Sequence, residues 1–151
     1  MRVVIQRVLR ACVTVDGQVV GSIDQGLLVF VGIQPSDGEA DLDFLVDKTI
    51  NLRIFADAEG KMNLSVQDVK GGILLVSQFT LYGDCRKGRR PSFIAAAGPE
   101  LAQPLYNQFA QRLKESGLRV ETGIFAADMK VELINDGPVT MIIDSPEKEK
   151  R

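Results

Sequence analysis

The sequence predicts an α/β fold, a single layered domain of mixed and antiparallel β-sheets with two main helices packed on them. Three observations carry this reading. Asp16-Gly17 separates two strand-forming runs, "GLLVFVGI" at 26–33 is continuously apolar, and the stretches 39–52 and 98–117 set their apolar residues at helical spacing. Hairpins first, then helices separated by strand pairs, place sheet faces where helices must cover them. A chain of 151 residues suffices for one core and is short for two. Residues 1–145 are therefore taken as the domain and 146–151 as a charged C-terminal tail, with "SPEKEKR" expected to be frayed.

Taken in order, residues 2–8 and 11–15 are rich in Val, Ile and Thr, and Asp16-Gly17 turns them into a return strand from Gln18. "GLLVFVGI" reads as a strand buried on both faces, the centre of the sheet, ended by Pro35-Ser36-Asp37-Gly38. Leu42, Leu45, Val46 and Ile50 mark the first helix, with Asp37 near its start. "LRIFAD" and residues 62–66 form an antiparallel pair about a turn at 58–61, and "ILLVSQFTLY" at 73–82 reads as one long apolar strand. Leu105, Phe109 and Leu113 define the second helix, Gly117 its C-cap, and Pro104 a kink or a late start. "LRVETGIF", "KVELIND" and "VTMIID" supply the closing strands.

Composition narrows the chemistry. The chain has no histidine, so Ser-His-Asp and Cys-His arrangements, the HExxH site and the usual neutral-pH base are excluded. Cys12 and Cys85 lie far apart outside any CxxC pair, which favours free thiols over a bridge or a zinc cage. No metal and no cofactor are expected. A net charge of −2 and a pI near 5.2 argue against a broad basic surface for wrapping nucleic acid and leave room for a small, local contact; DNA is not expected as a partner. With no membrane-length apolar run and no signal-peptide pattern at the start, a cytoplasmic location and no membrane partner are expected.

Several stretches can carry chemistry. "SQFTLYGD" at 77–84 ends an apolar strand with Ser77, Gln78 and Thr80. As a strand it would point Ser77, Phe79 and Leu81 one way and Gln78, Thr80 and Tyr82 the other; the plain alternative is a strand end whose hydroxyls bond the local backbone. "DCRKGRRPSF" then sets Arg86, Lys87, Arg89 and Arg90 within five positions. Such a run is usually a solvated loop, yet it offers what a phosphate backbone requires. Phe125 and Met129, four apart among small residues, fit a core better than a nucleobase pocket. "INDGPVTMII" at 134–143 breaks strand formers with Gly137-Pro138, which by local chemistry is a turn.

Together, "MRVVIQRV", "SQFTLYGD" and "NDGPVT", in this order and spacing, closely resemble the D-aminoacyl-tRNA deacylase family over essentially the whole chain. The resemblance implies a homodimeric proofreading enzyme that acts on the tRNA acceptor end carrying a D-amino acid or glycine, including glycyl-tRNA mischarged on tRNA(Ala). It implies a site formed by Ser77, Gln78, Phe79 and Thr80, with Gly137-Pro138 matching a Gly-cisPro pair that enters the site of the other subunit. There two carbonyl oxygens would hold the substrate amine, and an L side chain would run into main chain while a D side chain points to open space. Arg7 would brace the Gly-Pro segment, although its bare sequence context is that of a surface Arg on an edge strand. Gln78 and Ser77 would hold the adenosine or amino-acid end, and Phe125 and Met129 match positions near the adenine.

An aminoacyl ester is already activated. A water set by backbone amides around Phe79 and Thr80, with a substrate ribose hydroxyl assisting proton transfer, needs no imidazole. Thr80 as a covalent nucleophile is the competing mechanism, though no residue type obviously serves as its base. Two other readings stand beside the deacylase: a non-catalytic RNA-end or nucleotide-binding module using the 86–90 loop, and a threonine hydrolase of small esters or peptides.

Overall fold

The computed structural model describes residues 1–148. Strand β1 (Arg2–Val15) pairs antiparallel with β2 (Gln18–Ile23) and with β3 (Gly26–Gly32) on one side, and along its other side with β8 (Lys130–Asp144). Beyond β3 the sheet continues in parallel through β6 (Gly72–Ser77) and β7 (Arg119–Thr122). Helices α1 (Glu39–Asn51) and α2 (Pro99–Glu115) connect these strands, and β4 (Phe55–Ala56) with β5 (Met62–Leu64) makes a small second sheet. The sheet is thus mixed, with β3 at its middle, and it curls until Arg119 Nη2 on β7 donates to the Ser22 carbonyl of β2 at 3.2 Å.

The period of two explains the two packed layers. Leu27, Val29 and Val31 of β3 and Ile73 and Leu75 of β6 face α1 and α2, where they meet Leu42, Leu45, Phe109 and Leu113. Leu28, Leu74 and Val76 point to the opposite face, against Val8, Val13 and Ile23 inside the curl. Continuous apolar runs therefore mark strands covered on both sides. Burying a side chain such as Phe109, which has no exposed surface, contributes about 1.5–3 kcal/mol.

Local chemistry sets most boundaries. Asp16 and Gly17 both have positive φ, as a two-residue hairpin turn demands. The helix α2 starts at Pro99, whose ring presets the first turn, so Pro104 is not a late start; exposed near the N-terminus, it removes only one helical hydrogen bond. Gly117, at φ +85°, follows the C-cap.

The chain ends are tied together. The Met1 amino group donates to Asp37 Oδ1 at 2.6 Å and to Ser145 Oγ at 2.9 Å, and Ser145 Oγ donates to Asp41 Oδ1 at 2.7 Å. Lys148 adds an ion pair to Asp41 at 3.4 Å. The expected fraying therefore does not begin at Ser145, because a buried amine and carboxylate hold that residue; the last three residues of the tail lie outside the described ones.

Two further expectations change. The strand expected over 73–82 stops at Ser77, and Phe79–Tyr82 is a 3₁₀ turn, so side chains 77–82 do not alternate across a sheet. Gln78 N–H makes the last bond to β3, to the Val31 carbonyl at 2.8 Å. Past that point the chain folds over Gly32, where a Cβ would sit 3.0 Å from Leu81 Cβ and 3.2 Å from the Gln78 carbonyl. The Gly137-Pro138 break is not a turn between two strands, because β8 runs through it. Gln6 pairs with Thr140 and Val8 with Asn135, so residues 136–139 bulge outward opposite Arg7.

Candidate active site

The carboxyl ends of the parallel strands, where open α/β sheets bind ligands, border a cavity of about 470 Å³. Val31 and Ile33 close it at the end of β3, Ser77 and Gln78 at the end of β6, and Phe79 and Thr80 from the turn over Gly32. Phe125 and Met129, from the segment after β7, complete the wall. Residues that spacing alone could not unite thus share one cavity.

Its polar groups are few. Gln78 Nε2 donates to Thr80 Oγ1 at 2.9 Å, which fixes the amide and leaves the threonine hydroxyl exposed at the rim. Phe79 and Thr80 open a helical turn, so their amides find no acceptor within it. Phe79 is held edge-on against Phe93 at 5.2 Å between ring centroids, a contact that ties the rim to the segment after the basic loop. None of the residues lining the cavity is ionisable. A side-chain general acid or base must come from elsewhere, and the wall can act only through hydroxyl, amide and main-chain dipoles.

Phe125 packs on Tyr106 at 5.8 Å and on the helix-side core, and Met129 on the inner core, while both also face the cavity. Core and pocket are the same residues seen from two sides. Burial pushes the Tyr106 hydroxyl up to about 12, and it donates to the Leu75 carbonyl at 3.1 Å. The wall behind Phe125 therefore stays uncharged at neutral pH.

Arg7, Gly137 and Pro138 are not in this cavity. Arg7 pairs with Leu27 and Ser77 with Val31, a separation of four residues along β3 or about 13 Å. Arg7 Nε donates to the Asp136 carbonyl at 3.0 Å and Nη1 to the Ile54 carbonyl at 2.7 Å. Asn135 Oδ1 accepts from the Val139 amide at 2.8 Å, closing the bulge from its other end. Between these anchors Gly137 and Pro138 are exposed, and the bond joining them is cis. Gly137 has φ +146°, and a Cβ there would lie 2.6 Å from Val139 Cγ2 and 2.7 Å from its backbone nitrogen.

Sequence reasoning missed Phe93, Ala97 and Ala102 as parts of the wall; only the fold brings them over the strand ends. A second cavity, of about 450 Å³, lies at the opposite ends of the strands beside Lys70 and Arg119 and gathers none of the predicted residues. Among the described residues no group of three or more His, Cys, Asp or Glu is placed to hold a metal ion, and no helix is long and apolar enough to cross a membrane. Cys12 and Cys85 are free thiols.

Known proteins resemble this chain closely. A D-aminoacyl-tRNA deacylase of Brevibacillus brevis (strain 47) is 63% identical over 145 residues, which cover 96% of this chain and 100% of that protein. One from Geobacillus sp. (strain WCH70) is 62% identical over 148 residues, covering 98% and 97%. Among solved structures, one titled "c-Myc DNA Unwinding Element Binding Protein" superposes with a TM-score of 0.91 at 42% identity over 97% of this chain and 100% of that one. A probable eukaryotic D-amino acid tRNA deacylase shares the fold, with a TM-score of 0.81 at 20% identity over 95% and 98% of the two chains. With the family profile described as D-Tyr-tRNA(Tyr) deacylase matching residues 4–144, the chain belongs to that family.

Proposed function

We propose that this chain hydrolyses the ester of D-aminoacyl-tRNA, and of glycyl-tRNA mischarged on tRNA(Ala), to free tRNA and amino acid, as a cytoplasmic proofreading step in translation. The observation that carries the reading is the cavity at the strand ends, lined by Ser77, Gln78, Phe79 and Thr80 and by no ionisable group, in a chain of this family. Such a wall suits an ester that needs positioning more than activation. The Phe79 and Thr80 amides polarise the ester carbonyl and the attacking water, and the vicinal ribose hydroxyl of the substrate relays the proton. Gln78 and Ser77 hold the sugar or amino-acid end, and Phe125 and Met129 flank the adenine. Thr80 serves by position, since Gln78 is a donor to its hydroxyl and not a base.

The working unit in this reading is a homodimer, with Gly137-Pro138 of one copy entering the cavity of the other. Two features support it: the bulge is exposed and lies outside its own cavity, and β1 and β8 expose Leu9, Ile134 and Ile142. Main-chain carbonyls of the bulge hold the substrate amine and leave no room for an L side chain; Arg7 keeps the bulge in shape. Glycine, with no side chain to reject, is accepted.

The test is release of amino acid from D-tyrosyl-tRNA and L-tyrosyl-tRNA by catalytic amounts of protein. Multiple turnovers on the D ester alone are expected. No turnover on either, with RNA still bound, would replace the enzyme by an RNA-end binding module.

A further inference from the structure

The chain carries a net charge of −2, yet four of its cations fall within residues 86–90, and the cavity beside them has no charge of its own. A nucleotide strand that enters such a cavity brings phosphates for which the wall offers no counter-charge. The cations lie on the loop that leads into Phe93 at its rim. Asp84 and Ser92 close the loop with two backbone bonds of 2.7 and 2.9 Å, and Phe93, next in the chain, lies against Phe79 at the rim. From Phe93 to Gly88 the chain spans five residues, a reach of at most about 17 Å.

The four cations are not equivalent. Arg86 is held by Asp84, with Nε to Oδ1 at 2.9 Å and Nη2 to Oδ2 at 2.7 Å, and this hydrogen-bonded pair holds the Asp84 carboxyl down at about 2. Arg86 shapes the loop. Lys87, Arg89 and Arg90 are exposed, and among the described residues none of them is in an ion pair.

We propose that the 84–92 loop is a phosphate clamp for the RNA strand leading out of the cavity, with Lys87, Arg89 and Arg90 on backbone phosphates. This rests on the aminoacyl-tRNA reading of the site for its ligand, but it adds a second contact area that reads charge and not sequence. Placing three cations beside a neutral site lets a polynucleotide be held while a free amino-acid ester is not.

The experiment compares wild type, the Lys87→Ala/Arg89→Ala/Arg90→Ala variant and an equal-charge control, Lys48→Ala/Lys61→Ala/Lys114→Ala, for binding of uncharged tRNA by fluorescence anisotropy across salt concentrations. Each single-strand phosphate contact contributes about −0.7 to the slope of log affinity against log salt, so the loop variant should lose about 2 from that slope. Its affinity at 0.1 M salt should fall by about tenfold or more, with KM for D-aminoacyl-tRNA rising in step. The control should match wild type in both. Equal slopes for wild type and loop variant, or an equal loss in loop variant and control, would overturn the clamp. Because uncharged tRNA is the probe, a protein that binds with the expected slopes but cleaves no ester would refute the hydrolase and leave the clamp standing.

Discussion

If the Gly137 bulge serves the cavity of a second copy, two inactive variants should rescue each other. The first is Gly137→Ala. Its new methyl would meet Val139 Cγ2 at 2.6 Å and Val139 N at 2.7 Å, and the second contact is backbone, which no rotamer relieves. A φ of +146° adds strain for any residue with a Cβ. Because the bulge faces solvent, it relaxes by changing shape. We expect a stability loss of about 1–3 kcal/mol and, since a displacement near 1 Å costs on the order of 100-fold in rate, a loss of turnover near that size. The second variant, Gln78→Ala/Thr80→Val, removes the amide that holds the substrate and the hydroxyl it bonds, lowering turnover through lost positioning, and leaves the bulge intact. Co-refolded one to one, half the dimers are mixed, each with one intact site and one doubly damaged, so about a quarter of wild-type turnover should return. D-tyrosyl-tRNA release before and after mixing is the assay, with differently tagged chains to count mixed dimers. Mixed dimers that form without recovered activity would refute the shared site.

Other outcomes follow from single contacts. Arg7→Met keeps the apolar stem but leaves the Asp136 and Ile54 carbonyls without their donor, so urea unfolding should show a loss of about 2–4 kcal/mol and D-over-L selectivity should fall; an unchanged variant would remove Arg7 from the brace. Asp37→Ala strands the buried Met1 amine, an expected cost of about 3–5 kcal/mol seen as a melting point lower by roughly 10 °C. The Tyr106 hydroxyl, pushed up to about 12 by burial, is held neutral by the fold. Its contribution is complete below the unfolded value of about 10 and is lost as pH rises toward 12, with Tyr82 shifted the same way. Urea midpoints should therefore fall between pH 10 and 12, and less steeply in Tyr106→Phe.

The elements legible in the sequence were those specified locally. Asp16-Gly17, the period of α1 and the Gly117 cap each encode their own geometry, and "GLLVFVGI" announces burial on both faces. What failed depended on neighbours far along the chain. Nothing within "SQFTLY" ends a strand; the strand ends because β3 offers no ladder beyond Val31 and because Gly32 leaves room for the turn. Asn-Asp-Gly-Pro carries every local sign of a turn, but β1 is long enough to pair on both sides of it, so the strand continues and the four residues become a bulge. The gathering of Ser77–Thr80 with Phe125 and Met129 was visible only through family resemblance, since parallel strand ends and a loop meet there by topology.

The pairing of the first strand with the last has a consequence for synthesis. While β1 is made at the start, its long outer edge stays open until β8 leaves the ribosome, on the order of ten seconds later at cellular elongation rates. An unpaired edge of that length is a template for other strands during that interval. The same delay makes the exposed bulge one of the last features to appear, so no partly made chain can present it to a neighbour. Closure of the outer edge of β1, and any joining of two copies through the bulge, wait for β8.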